Sequence, residues 1–142
     1  MSTRLDGLHV LFVDDRRDAR FVVDHILRDA GAAVSLAEDG VQALSMIATT
    51  SEVDTRAYDV VVMDVAMPGL DGLSATRHLR QLGFHHPILA LTAGNMELDR
   101  QECLEAGCDE YQSKPIDGFN LVNAIYRLSR KSCELSDALK LS

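Results

Sequence analysis

The chain of 142 residues contains no tryptophan, only 5% aromatic residues, three prolines and three cysteines. It is also poor in positive charge, with 14 Lys and Arg against 22 Asp and Glu and a formal net charge of −8. Binding a phosphate backbone needs clustered Lys and Arg, so this balance argues against a nucleic-acid partner. It suits recruitment of a cation, or a partner with a basic face. The cysteines, Cys103, Cys108 and Cys133, are odd in number and lack paired-motif spacing. A disulfide framework is therefore not expected, and reduced thiols in a cytoplasmic protein are. No apolar run approaches the roughly 20 residues of a membrane helix. Residues Met1 to Gly7 hold no apolar signal region either. A cytoplasmic chain with no membrane insertion is the expectation, and its length predicts one domain with a single ordinary core.

The most informative stretch runs from Asp59 to Gly72. Val60-Val61-Val62-Met63 leads without a break into Asp64, then into the turn Met67-Pro68-Gly69 and the pair Asp71-Gly72. A Val-rich run of this kind reads as a strand buried on both faces, with Asp64 emerging at its C-terminal end. The rest of the chain alternates strand and helix patterns. Leu8 to Val13 reads as a first strand ending in Asp14-Asp15. Arg16 to Ala30 carries Val22, Val23, Ile26, Leu27 and Ala30 at helical spacing. Ala33 to Leu36 is a short second strand. Asp39 caps a helix with Gln42 three residues on, and Val41, Leu44, Ile47 and Ala48 line one face. After a long polar loop at 49–57 and the central strand, Asp71 caps a third helix with Leu73, Thr76 and Leu79 inward. Ile88 to Leu91 is a fourth strand ending at Thr92. Asn95 caps a fourth helix with Met96, Cys103 and Leu104 at helical spacing. Asp109 to Ser113 is a polar fifth strand followed by Lys114-Pro115, and Asp117 caps a last helix with Leu121, Val122, Ile125 and Leu128 inward. Gly31, Gly83 and Gly107 stand where helices should stop.

Five strands alternating with five helices predict an α/β fold, a doubly wound parallel sheet with helices on both faces. Strands one, three and four are nearly all apolar and should be central; strands two and five should be edges. The flavodoxin-like (βα)5 order 2-1-3-4-5 meets that pattern, with its topological switch point between strands one and three. Ligands bind such sheets outside the carboxyl ends of the strands. There strand one offers Asp14 and Asp15, strand three Asp64, strand four Thr92 and strand five Lys114. Any one of these could be a turn residue; together on one edge they describe a site. Three carboxylates in close company repel one another, which a hard divalent cation relieves. Mg²⁺ suits this because it takes few protein ligands and bridges to phosphate oxygens, and Mn²⁺ is an alternative. A cation, an ammonium and a hydroxyl around one carboxylate suit transfer of a phosphoryl group to that carboxylate.

From about Gly7 to Leu128 the sequence resembles the receiver domain of two-component response regulators. The resemblance is carried by Val13-Asp14-Asp15, the stretch from Asp64 to Gly72, Leu91-Thr92-Ala93 and Tyr111-Gln112-Ser113-Lys114-Pro115. It implies a domain at 7–131, with 1–6 as a leader and 132–142 as a tail that extends the last helix or frays. It implies that Asp64 accepts a phosphoryl group from a phosphohistidine, on a histidine kinase or a histidine phosphotransfer domain. Asp15, Asp64 and the backbone carbonyl of Ala66 would hold Mg²⁺ directly, Asp14 mainly through water. Lys114 would contact the phosphoryl group, and the peptide before Pro115 would be cis. Thr92 and Tyr111 would form the switch that changes the face made by the fourth helix, fifth strand and fifth helix, where dimerisation is also expected. Such a chain is a phosphorelay module that promotes its own phosphorylation and dephosphorylation, rather than an enzyme turning over a separate substrate.

The second half, with Gly72 to Arg80, Pro87 to Ala93, Asp99 to Leu104 and Ala106-Gly107, looks like receivers attached to hybrid histidine kinases. Since only fourteen residues follow Leu128, no DNA-binding domain and no direct transcriptional output are expected. An excised kinase domain and a stand-alone regulator both remain open. Ala66 and Gly94 are small for positions bordering the phosphoryl group, so bulkier residues there should slow its hydrolysis. A haloacid-dehalogenase-like phosphatase also uses an Asp nucleophile, Mg²⁺ and a Lys, but it needs a second Asp where Ala66 stands. A docking-only pseudo-receiver does not require the intact Asp14, Asp15, Asp64, Thr92 and Lys114 set. A flavin carrier of the same topology would want a hydroxyl-rich phosphate loop after the first strand.

Overall fold

The computed structural model describes residues 4–48, 58–65, 72–92, 97–114 and 116–140, with backbone alone for 97–100 and 131–140. The elements follow in strict alternation: β1 (His9–Val13), α1 (Arg17–Asp29), β2 (Ala33–Ala37), α2 (Gly40–Ala48), β3 (Val60–Asp64), α3 (Gly72–Gln81), β4 (Ile88–Thr92), α4 (Glu97–Ala106), β5 (Glu110–Ser113) and α5 (Gly118–Lys140). All pairings are parallel and the order is β2-β1-β3-β4-β5, as expected from the strand compositions. Every residue of β3 and β4 is buried, whereas β5 is only half-buried and β2 buries only Val34 and Ala37. An apolar strand must have neighbours on both edges and helices on both faces, which selects β3 and β4 for the middle.

Because strand side chains alternate between faces, the sheet divides into two layers. Val10, Phe12, Val60, Val62, Leu89 and Leu91 pack under α1 and α5, against Val23, Leu27, Leu121 and Ile125. Leu11, Val13, Val61, Met63, Ile88 and Ala90 face α2, α3 and α4, against Ala43, Ala75, Leu79 and Cys103. Leu5, ahead of β1, is fully buried in the first layer, and its N–H donates to Ala30 O at 2.9 Å.

The starts of α2 and α5 follow the expected chemistry, whereas α1 begins at Arg16 without a side-chain cap. Asp39 Oδ1 accepts from the Gln42 N–H at 2.7 Å, while Gln42 Oε1 accepts from the Glu38 N–H at 2.6 Å. Asp117 Oδ1 accepts from the Phe119 N–H at 2.9 Å and caps α5. The expected caps Asp71 and Asn95, and Met96, lie outside the described residues. Gly107, with φ of +114°, closes α4 in a Schellman motif: the Cys108 N–H donates to Cys103 O, and the Gly107 N–H to Leu104 O. Four apolar residues face the other way from expectation: Val22, Val41 and Leu104 are 50%, 63% and 48% exposed, and Ala48 is exposed too. In α2 the inward stripe is Gly40, Ala43, Leu44 and Ile47, one position off the stripe drawn through Val41. Small residues let that helix approach the sheet, and a hydrophobicity pattern gives them little weight.

Candidate functional site

The sheet ladder itself carries the polar residues to one edge. Each strand end is extended by one backbone bond: the Asp14 N–H donates to Ala37 O (3.1 Å), the Val65 N–H to Leu91 O (3.0 Å) and the Lys114 N–H to Thr92 O (2.7 Å). The register sets Val13 opposite Met63, Asp64 opposite Leu91 and Thr92 opposite Ser113. Asp14, Asp64 and Lys114 are thus brought to the crevice beside β1 and β3, with Thr92 at the end of the next strand.

Asp14, Asp15 and Asp64 each place one carboxylate oxygen within 4.8 Å of the other two. Asp14 is fully buried and Asp64 is 2% exposed, while Asp15 faces solvent. The Lys114 ammonium lies 3.3 Å from Asp64 Oδ2 and 3.5 Å from Asp14 Oδ2. Three carboxylates and one ammonium leave a strongly negative crevice, two of whose anions are out of water. Asp14 Oδ1 accepts from the Arg16 N–H at 2.9 Å. Asp14 Oδ2 is buried and makes no hydrogen bond among the described residues; Lys114 is close enough to attract it and no more. A buried, under-satisfied carboxylate oxygen at the mouth of an all-oxygen cluster fits a hard divalent cation.

Thr92 is 2% exposed at the end of β4. Tyr111 lies opposite Ala90 on β5, half-buried against the layer under α2, α3 and α4. It also borders an open groove of about 480 Å³ with Gln112, Ser113, Asn120 and Arg127. Ala66, Pro115, Gly94 and the 49–57 loop, and with them the carbonyl ligand, the cis peptide and the two small positions expected there, lie outside the described residues.

Two residues at the site escaped the sequence reading. In the sequence, Gly72 reads only as the start of the third helix. A Cβ added there would lie 2.1 Å from the Asp64 carbonyl oxygen and 2.9 Å from Val65 Cα. The Gly72 N–H also donates to Val65 O at 3.2 Å. Glycine is therefore required by close approach to the backbone of the acidic strand end. Arg20 of α1 folds back so that its Nη1 donates to the Asp14 carbonyl at 2.8 Å, with Nη2 3.7 Å from Glu38 Oε1. Nothing in the sequence separates Arg20 from its neighbours Arg16 and Arg17; only the helix phase does.

A family profile described as the response regulator receiver domain matches residues 10–126. The chain belongs to this family. Receiver domains are modules of two-component signal transduction. Among curated proteins, this one is 39% identical over 134 residues to probable histidine kinase 2 of Oryza sativa, covering 86% of this chain and 13% of that protein. It is 40% identical over 131 residues to the response regulator MprA of Mycobacterium avium, covering 92% of this chain and 55% of that one. The chain thus spans about half the length, or far less, of these curated relatives. Among solved structures, a Francisella response regulator receiver domain superposes with a TM-score of 0.80 at 29% identity, covering 89% of this chain and 99% of that one. The receiver domain of a Pseudomonas aeruginosa sensor histidine kinase, with magnesium coordinated in its active-site cleft, gives 0.75 at 36% identity, covering 87% and 98%. Receiver domains of histidine kinases and of response regulators are both represented, and the expected likeness to kinase receivers is borne out. Among the described residues no helix is long and apolar enough to cross a membrane.

Proposed function

We propose that this receiver domain is a phosphoacceptor in which Asp64 takes a phosphoryl group from a phosphohistidine with the help of Mg²⁺ or Mn²⁺. The reading is carried by one observation. Asp64, almost fully buried, lies 3.3 Å from the Lys114 ammonium and within a cluster with Asp14 and Asp15. In the transfer, a carboxylate oxygen of Asp64 attacks phosphorus in line. The new O–P bond forms as the N–P bond to the donor imidazole breaks, and the imidazole leaves with the electron pair and takes a proton from water. Lys114 stabilises charge on the phosphoryl oxygens from the β5 side, and the Thr92 hydroxyl donates to them from the end of β4. Asp15 and Asp64, with the Ala66 carbonyl, would hold the divalent ion, and Asp14 would act mainly through water. When bound, the ion supplies the positive charge that offsets both the carboxylates' mutual repulsion and the incoming phosphate.

Phosphorylation adds charge and acceptor oxygens at the sheet edge. Thr92 then moves toward them, and Tyr111 turns into the space released. The face of α4, β5 and α5 changes as a result and serves for output and for dimerisation. A histidine kinase or a histidine phosphotransfer domain is the expected donor. Support for that partner and for the metal comes from the kinase relative and the magnesium-bound neighbour. Mass spectrometry after incubation with a small acyl phosphate and Mg²⁺ tests the reading. One added phosphoryl group is expected, lost in Asp64→Ala and absent under chelation. No mass gain with any donor, a phosphohistidine protein included, would leave only a docking module.

A further inference from the structure

The exposed carboxylate of the acidic cluster has no support of its own. Among the described residues, Asp15 makes no side-chain hydrogen bond or ion pair. Its aim must therefore be set by the backbone that carries it. That backbone is fixed through its neighbour, Asp14, from three sides. The Asp14 N–H donates to Ala37 O, its Oδ1 accepts from the Arg16 N–H, and its carbonyl oxygen accepts from Arg20 Nη1 at 2.8 Å. The last bond matters most for Asp15. A peptide unit is planar, so holding the Asp14 carbonyl orients the whole plane that ends at the Asp15 Cα. Arg20 is itself held: its side chain is 14% exposed, it sits on the first turns of α1, and its other guanidinium arm faces Glu38 beyond β2. A planar, forked guanidinium is pre-organised to serve both partners at once, with less lost per hydrogen bond than on a lysine's flexible stem.

We infer that Arg20 is a positioning residue of the metal site, locking the Asp14–Asp15 peptide so that the Asp15 carboxylate is presented to the divalent cation. This rests on the Mg²⁺ reading of the crevice. The sign of the effect separates positioning from simple charge. Arg20 is a cation near a cation site, and by Coulomb's law alone its removal should tighten Mg²⁺ binding. If Arg20 acts by orientation, removal should weaken binding although a competing positive charge has gone. Partners that orient metal ligands typically contribute 10–100-fold in affinity.

The experiment is calorimetric titration of the whole chain with MgCl₂, comparing wild type, Arg20→Gln, Arg20→Met and Glu38→Gln, with melting curves as a folding control. Arg20→Gln is expected to bind about tenfold more weakly. Arg20→Met, which keeps the packed stem, provides the same comparison if Arg20→Gln does not fold. Glu38→Gln leaves the bond to Asp14 in place and should stay within about twofold of wild type, because Glu38 is 70% exposed and its ion pair with Arg20 is long, 3.7 Å. Folded Arg20 variants that bind Mg²⁺ as tightly as wild type, or more tightly, would overturn the inference. A wild type that binds no Mg²⁺ would instead remove the metal reading itself.

Discussion

Replacing Lys114 by Met should make the metal-free protein depend on Mg²⁺ for much of its stability. The ammonium sits 3.3 and 3.5 Å from two carboxylate oxygens whose residues are 2% and 0% exposed. At an effective dielectric near 20, each contact is worth about 5 kcal/mol of Coulomb energy. Desolvation of the three ions offsets most of that. What the variant leaves behind, however, is two buried carboxylates beside each other and beside Asp15. Removing one partner of a buried pair typically costs 3–5 kcal/mol. Lys114 is 23% exposed, so the lower end applies, about 3 kcal/mol. With a urea slope of about 2 kcal/mol per molar, the unfolding midpoint should fall by about 1.5 M in EDTA. Saturating Mg²⁺, at about one hundred times its dissociation constant, returns about 2.7 kcal/mol. Urea titrations followed by circular dichroism, in EDTA and in Mg²⁺, measure both effects. Adding Asp14→Asn to Lys114→Met should recover part of the loss, because one of the stranded charges is gone. An unchanged midpoint in EDTA would refute the reasoning. It would mean that the carboxylates relax into water when the lysine is lost, and that the crevice is not the dry, charge-frustrated site its burial describes.

Gly72→Ala should cost about 1–3 kcal/mol, as overpacking against backbone does. It should also lower the yield of phosphorylated Asp64 in the mass assay, because the added Cβ forces apart the start of α3 and the backbone at Asp64 and Val65; a fully active, equally stable variant would show that the close approach is dispensable. Burial, with Cys103 nearby, pushes the Cys108 thiol up to about 12. A folded value raised above the unfolded one gives stability that is complete below about pH 9 and fades as pH climbs toward 12. By about pH 10.5 the wild type should have lost about 2 kcal/mol more than Cys108→Ala, relative to each protein at about pH 8. In a Cys133→Ser background, Cys103 and Cys108 should react with thiol reagents only as fast as the protein opens; prompt labelling of either in the native state would contradict their burial.

Strand order was legible because burial on two faces leaves a plain mark in composition: unbroken apolar runs, Val60 to Met63 in β3 and Ile88 to Leu91 in β4, and polar residues in β5. The polar strand ends were legible for a related reason. Once the order is known, a parallel sheet delivers every C-terminal strand residue to one edge, so Asp14, Asp15, Asp64, Thr92 and Lys114 could be gathered without any contact being known. What stayed hidden depends on helix phase and on close approach. Val41 and Leu104 look like core and point outward, because Gly40, Ala43 and Ala106 occupy the inward positions and carry too little apolar weight to reset the stripe. Arg20 reads as one more surface charge of α1 until the helix is set against β1 and β2. Gly72 reads as a turn residue until the Asp64 carbonyl is found where its side chain would be.

The placement of Lys114 links stability to signalling. Among the described elements, β5 is the strand with the least buried surface: four residues, three half-buried and one exposed, paired only with β4. Yet it carries Tyr111, and Lys114 follows it directly through the bond from its N–H to Thr92 O. A weakly held edge strand opens at lower free energy than the central strands. Under the proposed function this is where a switch should sit. The added phosphoryl charge would act on Lys114 and Thr92, both bound into the last rungs of the β4–β5 ladder. The displacement would need to cross only one pair of strands to reach Tyr111. The central strands β1 and β3 carry the carboxylates, and under the same proposal their burial on both faces would keep the acceptor and its metal ligands fixed while the edge responds. The same division predicts where amide exchange should change on phosphorylation, measured by hydrogen exchange with a stable acyl-phosphate mimic in place. Protection should shift in β5 and at the ends of α4 and α5, while Val10 to Val13 and Val60 to Met63 stay as slow as before. Equal changes in β1 and β3 would show that the acceptor strand moves with the phosphate, and would remove the rigid-centre, yielding-edge account of the switch.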